Sequence, residues 1–151
     1  MNIISLWSKE NTGKTTTLTL LYNTLAQDTS FLNIIKISEG ICDFYAIFIY
    51  KGKKVGLTTY GDNKKCLKNS FDAFIENNCD IVICAGRRRR TEAGSIKFIE
   101  ELSKDITWIE QPDISDLKSF NIRKFNKNIK LINNLMVNFL LKKLDDLILS
   151  C

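Results

Sequence analysis

Residues 1–26, MNIISLWSKENTGKTTTLTLLYNTLA, change character twice within their length. Asn2–Trp7 carries Ile3, Ile4, Leu6 and Trp7, an apolar run of the length of one buried strand. Leu18, Leu21, Tyr22 and Leu25 then recur at i, i+3, i+4 and i+7, the period of an amphipathic helix. Between the two lies Ser8–Thr15, SKENTGKT, which is polar throughout and ends in Gly-Lys-Thr at the helix start. A strand that feeds a helix through such a loop turns free backbone N–H groups and the positive end of the helix dipole toward one point, which suits an anion.

The loop resembles the Walker A motif of the P-loop NTPase superfamily, G-x-x-x-x-G-K-[ST], with Ser8 in place of the first glycine. The resemblance implies a role for each position. Ser8, Lys9, Glu10, Asn11, Thr12 and Gly13 wrap the phosphates, and Gly13 allows close backbone approach and a positive φ. Lys14 places a point charge on the β and γ oxygens, Thr15 offers its hydroxyl to Mg²⁺, and Thr16 faces the α-phosphate side. Serine is the smallest polar substitute for the first glycine, so the loop is expected to form and to bind less tightly. Lys9 also fits the variant loop K-G-G-x-G-K-T of partition and septum-site ATPases, although both middle glycines are missing; equally, it is a solvated loop charge.

Composition narrows the chemistry. The 151 residues are 44% hydrophobic and 26% charged, which is ordinary for one globular domain. No run of 18 apolar residues offers a membrane span, and the N-terminus does not read as a signal peptide. The five cysteines have no C-x-x-C spacing and there is no histidine, so zinc is not expected and a cytoplasmic protein with reduced thiols is. Without histidine the Ser/His and Cys/His nucleophiles are excluded, which leaves phosphate positioning, metal, carboxylates, lysine and arginine. The net charge of +5 is compatible with phosphate ligands or nucleic acid and demands neither.

Further along, Phe31–Ser38 reads as a short strand or a switch-like connection. Asp43–Tyr50 and Val55–Thr59 read as a β-hairpin about a tight turn at 51–54. The hairpin ends in Thr58-Thr59-Tyr60-Gly61, which aligns with the D-x-x-G of regulatory GTPases with threonine in place of aspartate. Asp62 is the nearest carboxylate: it organises metal or water, or it caps the next helix. That helix, Lys64–Asn78, turns Leu67, Phe71, Phe74 and Ile75 inward. Asp80–Gly86 reads as a central parallel strand, with Asp80 at the edge away from the loop.

Ligands of doubly wound sheets lie at the carboxyl ends of strands, which brings the four arginines at 87–90 to the loop side. Arg87 or Arg88 then faces phosphate, or the run grips a phosphate-bearing partner, or it is solvated. Thr91–Lys104 reads as a helix, Ile106–Glu110 as a strand, Asp113–Phe120 as a linker, and Asn121–Leu149 as a long helix. On the last, Ile122, Phe125, Ile129, Ile132, Met136, Phe139 or Leu140, and Leu144 share a face. No N-K-x-D motif supports guanine, so ATP comes before GTP.

The expectation is therefore an α/β fold: a three-layer α/β/α P-loop NTPase-like sheet of five strands, mainly parallel with one antiparallel hairpin strand, ending in a long C-terminal helix. Residues 1–151 form one domain, with 1–118 the core and 119–151 the terminal helix. The resemblance implies a protein that binds a Mg²⁺-nucleoside triphosphate, with ATP the first candidate, and hydrolyses it or transfers its phosphoryl group. Lys14, Asp62, Arg87 and Arg88 are the candidate catalytic groups. Two other readings stand beside it: a nucleotide-binding interaction module without turnover, and a basic nucleic-acid-associated protein. A protein partner or a second copy would meet the hairpin or the C-terminal helix.

Overall fold

The computed structural model describes residues 1–8, 12–39, 43–61, 64–87, 95–112 and 122–150. In chain order the elements are β1 (Asn2–Ser8), α1 (Lys14–Leu25), β2 (Leu32–Glu39), β3 (Asp43–Tyr50), β4 (Lys53–Thr58), α2 (Lys64–Glu76), β5 (Ile81–Arg87), α3 (Ser95–Leu102), β6 (Ile106–Glu110) and α4 (Ile122–Ser150). The strands form one six-stranded sheet in the order β2-β3-β4-β5-β1-β6. β4, β5, β1 and β6 are mutually parallel, while β3 runs against both its neighbours.

The five expected strands become six because Phe31–Ser38 resolves into edge strand β2. Its attachment is aromatic. Phe31 packs on Phe48 with ring centroids 4.9 Å apart and meets Tyr22 of α1 edge-on at 5.6 Å. The Tyr22 hydroxyl also donates to Asn33 Oδ1 at 3.1 Å. The β3–β4 turn is narrower than expected: Lys51 and Gly52 both take positive φ, the geometry that matches strand twist in a two-residue hairpin loop.

Strand alternation splits the core into two layers. Ile4, Leu6, Phe48, Leu57 and Ile83 face α1 and α4, where Leu18, Leu21, Leu25, Leu140 and Leu144 cover them. Ile3, Ile47, Val82 and Cys84 face α2 and α3, against Leu67, Phe71, Phe74 and Ile99. Two expected faces shift. In α2, Ser70 is buried and Ile75 is exposed, because the Ser70 hydroxyl lies 3.2 Å from Thr58 Oγ1 and donates to the Cys66 carbonyl. In α4 the expected Leu140 and Leu144 are buried and Met136 packs against the core, while Asn133 and Val137 join the buried line and the alternative Phe139 lies outside it with Leu131 and Leu135. The helix turns this way because Asn133 joins a buried polar group described below. Thr91 and the linker 113–120 fall outside the described residues.

The long terminal helix crosses the sheet face. Asn133 lies beside the loop end of α1, and Asp145 pairs with Lys51 at the hairpin turn on the opposite edge, 2.8 Å away. That exposed pair is worth at most about 1 kcal/mol. Full burial of Leu140 and Leu144 contributes about 1.5–3 kcal/mol each, so apolar packing holds the helix. Among the described residues no helix is long and apolar enough to cross a membrane.

Close approach fixes one glycine. A Cβ on Gly56 would stand 2.6 Å from the Phe74 ring, between β4 and α2. Gly56→Ala is expected to lower stability by about 1–3 kcal/mol in urea unfolding, and Phe74→Leu in the same chain to recover part of that loss.

Candidate functional site

β1 ends at Ser8 and α1 begins at Lys14, so the chain reverses between the sheet and the first helix. Gly13 makes the final turn with φ +89°, a conformation that a side chain would strain. No side chain caps the start of α1, and no acidic residue occupies its first turn. Among the described residues, that helix end thus carries its partial positive charge without a side-chain cap.

Ser8, Thr12 and Lys14 are all buried at this turn. Lys14 Nζ donates to Ser8 Oγ at 3.1 Å, and the Ser8 and Thr12 hydroxyls bond to one another. Ser8 is thus one of the residues that the lysine meets. Thr15 is half-buried and Thr16 exposed at the helix start. Lys9, Glu10 and Asn11 lie outside the described residues.

Strand register places Arg87. β1 and β5 pair in parallel with Ser8 opposite Arg87, so the two side chains leave the sheet on the same face. The Arg87 backbone N–H donates to Ser95 Oγ at 2.8 Å, which ties the end of β5 to the start of α3. Arg88 and Asp62 lie outside the described residues. Gly61, just before Asp62, passes close over the end of β5: a Cβ there would stand 2.8 Å from that of Ala85.

The threonine aligned with the GTPase aspartate does something else. Thr58 turns its hydroxyl to Ser70 of α2 and accepts the Tyr60 N–H at 3.2 Å. β5 also lies between β4 and β1, so the end of β4 does not border the loop strand.

Two groups that the sequence reading passed over converge on the loop. The first is Asp43, the opening residue of β3. Because β3 is antiparallel, its beginning lies at the carboxyl edge of the parallel strands. There Asp43 Oδ1 receives the Thr15 hydroxyl at 3.5 Å and the Thr59 hydroxyl at 3.1 Å. The hairpin register was the signal that could have found it, since Val55–Thr59 returning along Asp43–Tyr50 sets the last residue of one beside the first of the other.

The second group is a buried polar cluster. Thr17 Oγ1 lies 3.3 Å from both Gln111 Oε1 and Asn133 Oδ1, and Gln111 Nε2 donates to Asn133 Oδ1 at 3.4 Å. The Gln111 N–H donates to the Trp7 carbonyl at 2.9 Å. A Cβ on Gly13 would meet Asn133 Oδ1 at 3.3 Å. α1, the end of β6 and α4 are thereby fastened around the loop.

Comparison of the chain with protein-family models, with curated proteins and with solved structures finds no match.

Asn133→Leu keeps the branched outline at a somewhat larger volume and takes away the oxygen that Gln111 Nε2 and the Thr17 hydroxyl approach. It is expected to lower unfolding free energy by about 1–3 kcal/mol. A double-mutant cycle with Thr17→Val, followed in urea, is expected to show a non-zero coupling energy.

Proposed function

We propose that this chain binds a nucleoside triphosphate with Mg²⁺ at the turn from β1 to α1, ATP being the first candidate, and that it hydrolyses the nucleotide or transfers its terminal phosphoryl group. The observation that carries the reading is the buried Lys14 ammonium held at the mouth of an uncapped helix, beside a glycine with positive φ. Strand direction supports it, because the loop leaves the carboxyl end of a parallel strand in a sheet with helices packed on both faces, the plan of the P-loop NTPases.

Each residue then has a task. Ser8 accepts from Lys14 and holds its ammonium at the turn, where it would meet the phosphate oxygens. The backbone of Gly13 and the first turn of α1 supply N–H donors to the phosphate oxygens. Thr15 would offer its hydroxyl to Mg²⁺, whose chemistry there would be to offset phosphate charge. Arg87, opposite Ser8 in the sheet register, is the candidate to balance charge that grows on the transferred group. The exposed Lys127 and Lys130, on the helix turns preceding Asn133, add positive potential that favours an incoming polyanion.

One observation favours a second reading, a nucleotide-binding module without turnover. The residue aligned with the metal-organising aspartate is Thr58, and its hydroxyl is spent on Ser70 in the core. Phosphate release separates the two readings: nucleotide binding with no release and no transfer to any acceptor supports the module.

A ligand that binds only the folded state raises its melting temperature. ATP with Mg²⁺ is therefore expected to raise Tm, with GTP and the diphosphates less effective, and Lys14→Ala is expected to abolish the shift while retaining the unliganded Tm to within a few degrees. An equal ATP shift in Lys14→Ala would overturn the assignment of this loop.

A further inference from the structure

The β1–α1 turn faces an acidic side chain on another element, and that placement limits which ligand the turn accepts. Asp43 opens β3, and its carboxylate Oδ1 lies 3.5 Å from the hydroxyl of Thr15 in the first turn of α1. Its position is fixed from two sides. Thr59 donates to Oδ1 at 3.1 Å while its own oxygen receives the Phe44 N–H at 2.9 Å, and the Tyr60 hydroxyl reaches the Asp43 carbonyl at 3.4 Å. Among the described residues the contacts on the carboxylate are with the hydroxyls of Thr15 and Thr59, which orient it.

A carboxylate there opposes a bare polyphosphate. Asp43 stands against the first turn of α1, so a polyphosphate drawn to the free N–H groups of that turn brings its oxygens toward the carboxylate, and like charges repel. A divalent cation between the two anions reverses the sign of that interaction. The donors suit a hard cation: a hydroxyl and a carboxylate oxygen, with no sulfur or imidazole. Two adjacent ligands of an octahedral magnesium ion, each about 2.1 Å from the metal, stand about 3 Å apart. The 3.5 Å between Thr15 Oγ1 and Asp43 Oδ1 is within a small side-chain movement of that spacing.

We propose that Asp43 is the carboxylate that works with Thr15 to hold Mg²⁺, in place of Asp62, and that it makes triphosphate binding dependent on the metal. This rests on the reading of the turn as a triphosphate site. The placement comes from strand direction: an antiparallel strand delivers its first residue to the edge where parallel strands deliver their last.

The test is ATP affinity of the full chain by calorimetry, once with excess Mg²⁺ and once with EDTA. In the wild type Mg²⁺ is expected to tighten ATP binding by about tenfold or more, a coupling within the usual range for linked ligands. In Asp43→Asn, which keeps the oxygen that Thr15 and Thr59 bond, the gain is expected to fall below about threefold, with affinity in EDTA unchanged or higher. Asp43→Ser serves as a second variant, and circular dichroism checks that both fold. Retention of the full Mg²⁺ gain in either folded variant would overturn the proposal, as would its loss in Asp62→Asn but not in Asp43→Asn. A wild type whose ATP affinity is the same with and without Mg²⁺ would also overturn it, whatever the variants do. A wild type that binds ATP under neither condition refutes the triphosphate reading itself, which is a separate result.

Discussion

Gly13 turns the chain with φ +89°, and the loop edge of the molecule is arranged around that reversal. The turn lets α1 start directly above the end of β1 and leaves its first N–H groups without a side-chain cap. Everything packed nearby respects the missing side chain. Asn133 of α4 lies close against the place that a Cβ would take, at 3.3 Å, and through Asn133 the terminal helix is joined to Thr17 and Gln111. A substitution at Gly13 therefore strains the backbone and also presses on the contact that sets the rotation of α4.

Strand direction does the remaining work. The parallel strands β4, β5, β1 and β6 bring their carboxyl ends to one edge, and the single reversed strand β3 brings its amino end there as well. That is how residues far apart in sequence, Ser8, Thr15, Asp43, Thr59 and Arg87, come to one side of the sheet. The far edge carries structural contacts: Asp80 accepts the Lys54 N–H at 2.8 Å, and Lys51 meets Asp145. The asymmetry is physical, since helix starts and a buried lysine gather at one edge only.

Much of this was legible in the sequence. The apolar run of β1, the heptad-like spacing of Leu18, Leu21, Tyr22 and Leu25, and the hairpin from Asp43 onward each carry a period that a single chain displays. What escaped were features decided by neighbours. Phe31–Ser38 has the composition of a strand, but its place at the edge comes from its pairing along β3, with the aromatic contacts of Phe31 and the Tyr22–Asn33 bond beside it. Apolar periodicity assigned the face of α4 from Ile129, Ile132 and Met136, whereas a polar residue, Asn133, sets it, and periodicity gives such residues no inward weight. Ser8 looked like a defect in a phosphate loop; in the fold it is the hydroxyl that receives Lys14. Asp43 was hidden because its importance comes from strand direction rather than from the residues beside it.

The central claim is that an anionic nucleotide lands on the turn between β1 and α1, and amide resonances report it residue by residue. Titration of a ¹⁵N-labelled chain with ATP and Mg²⁺ is predicted to shift the amides of Gly13, Lys14, Thr15 and Thr16 in a saturable way, while those of Lys51 and Gly52 at the opposite edge stay in place. Unmoved amides at residues 13–16, with no shift anywhere or with shifts confined to other parts of the chain, would contradict the account.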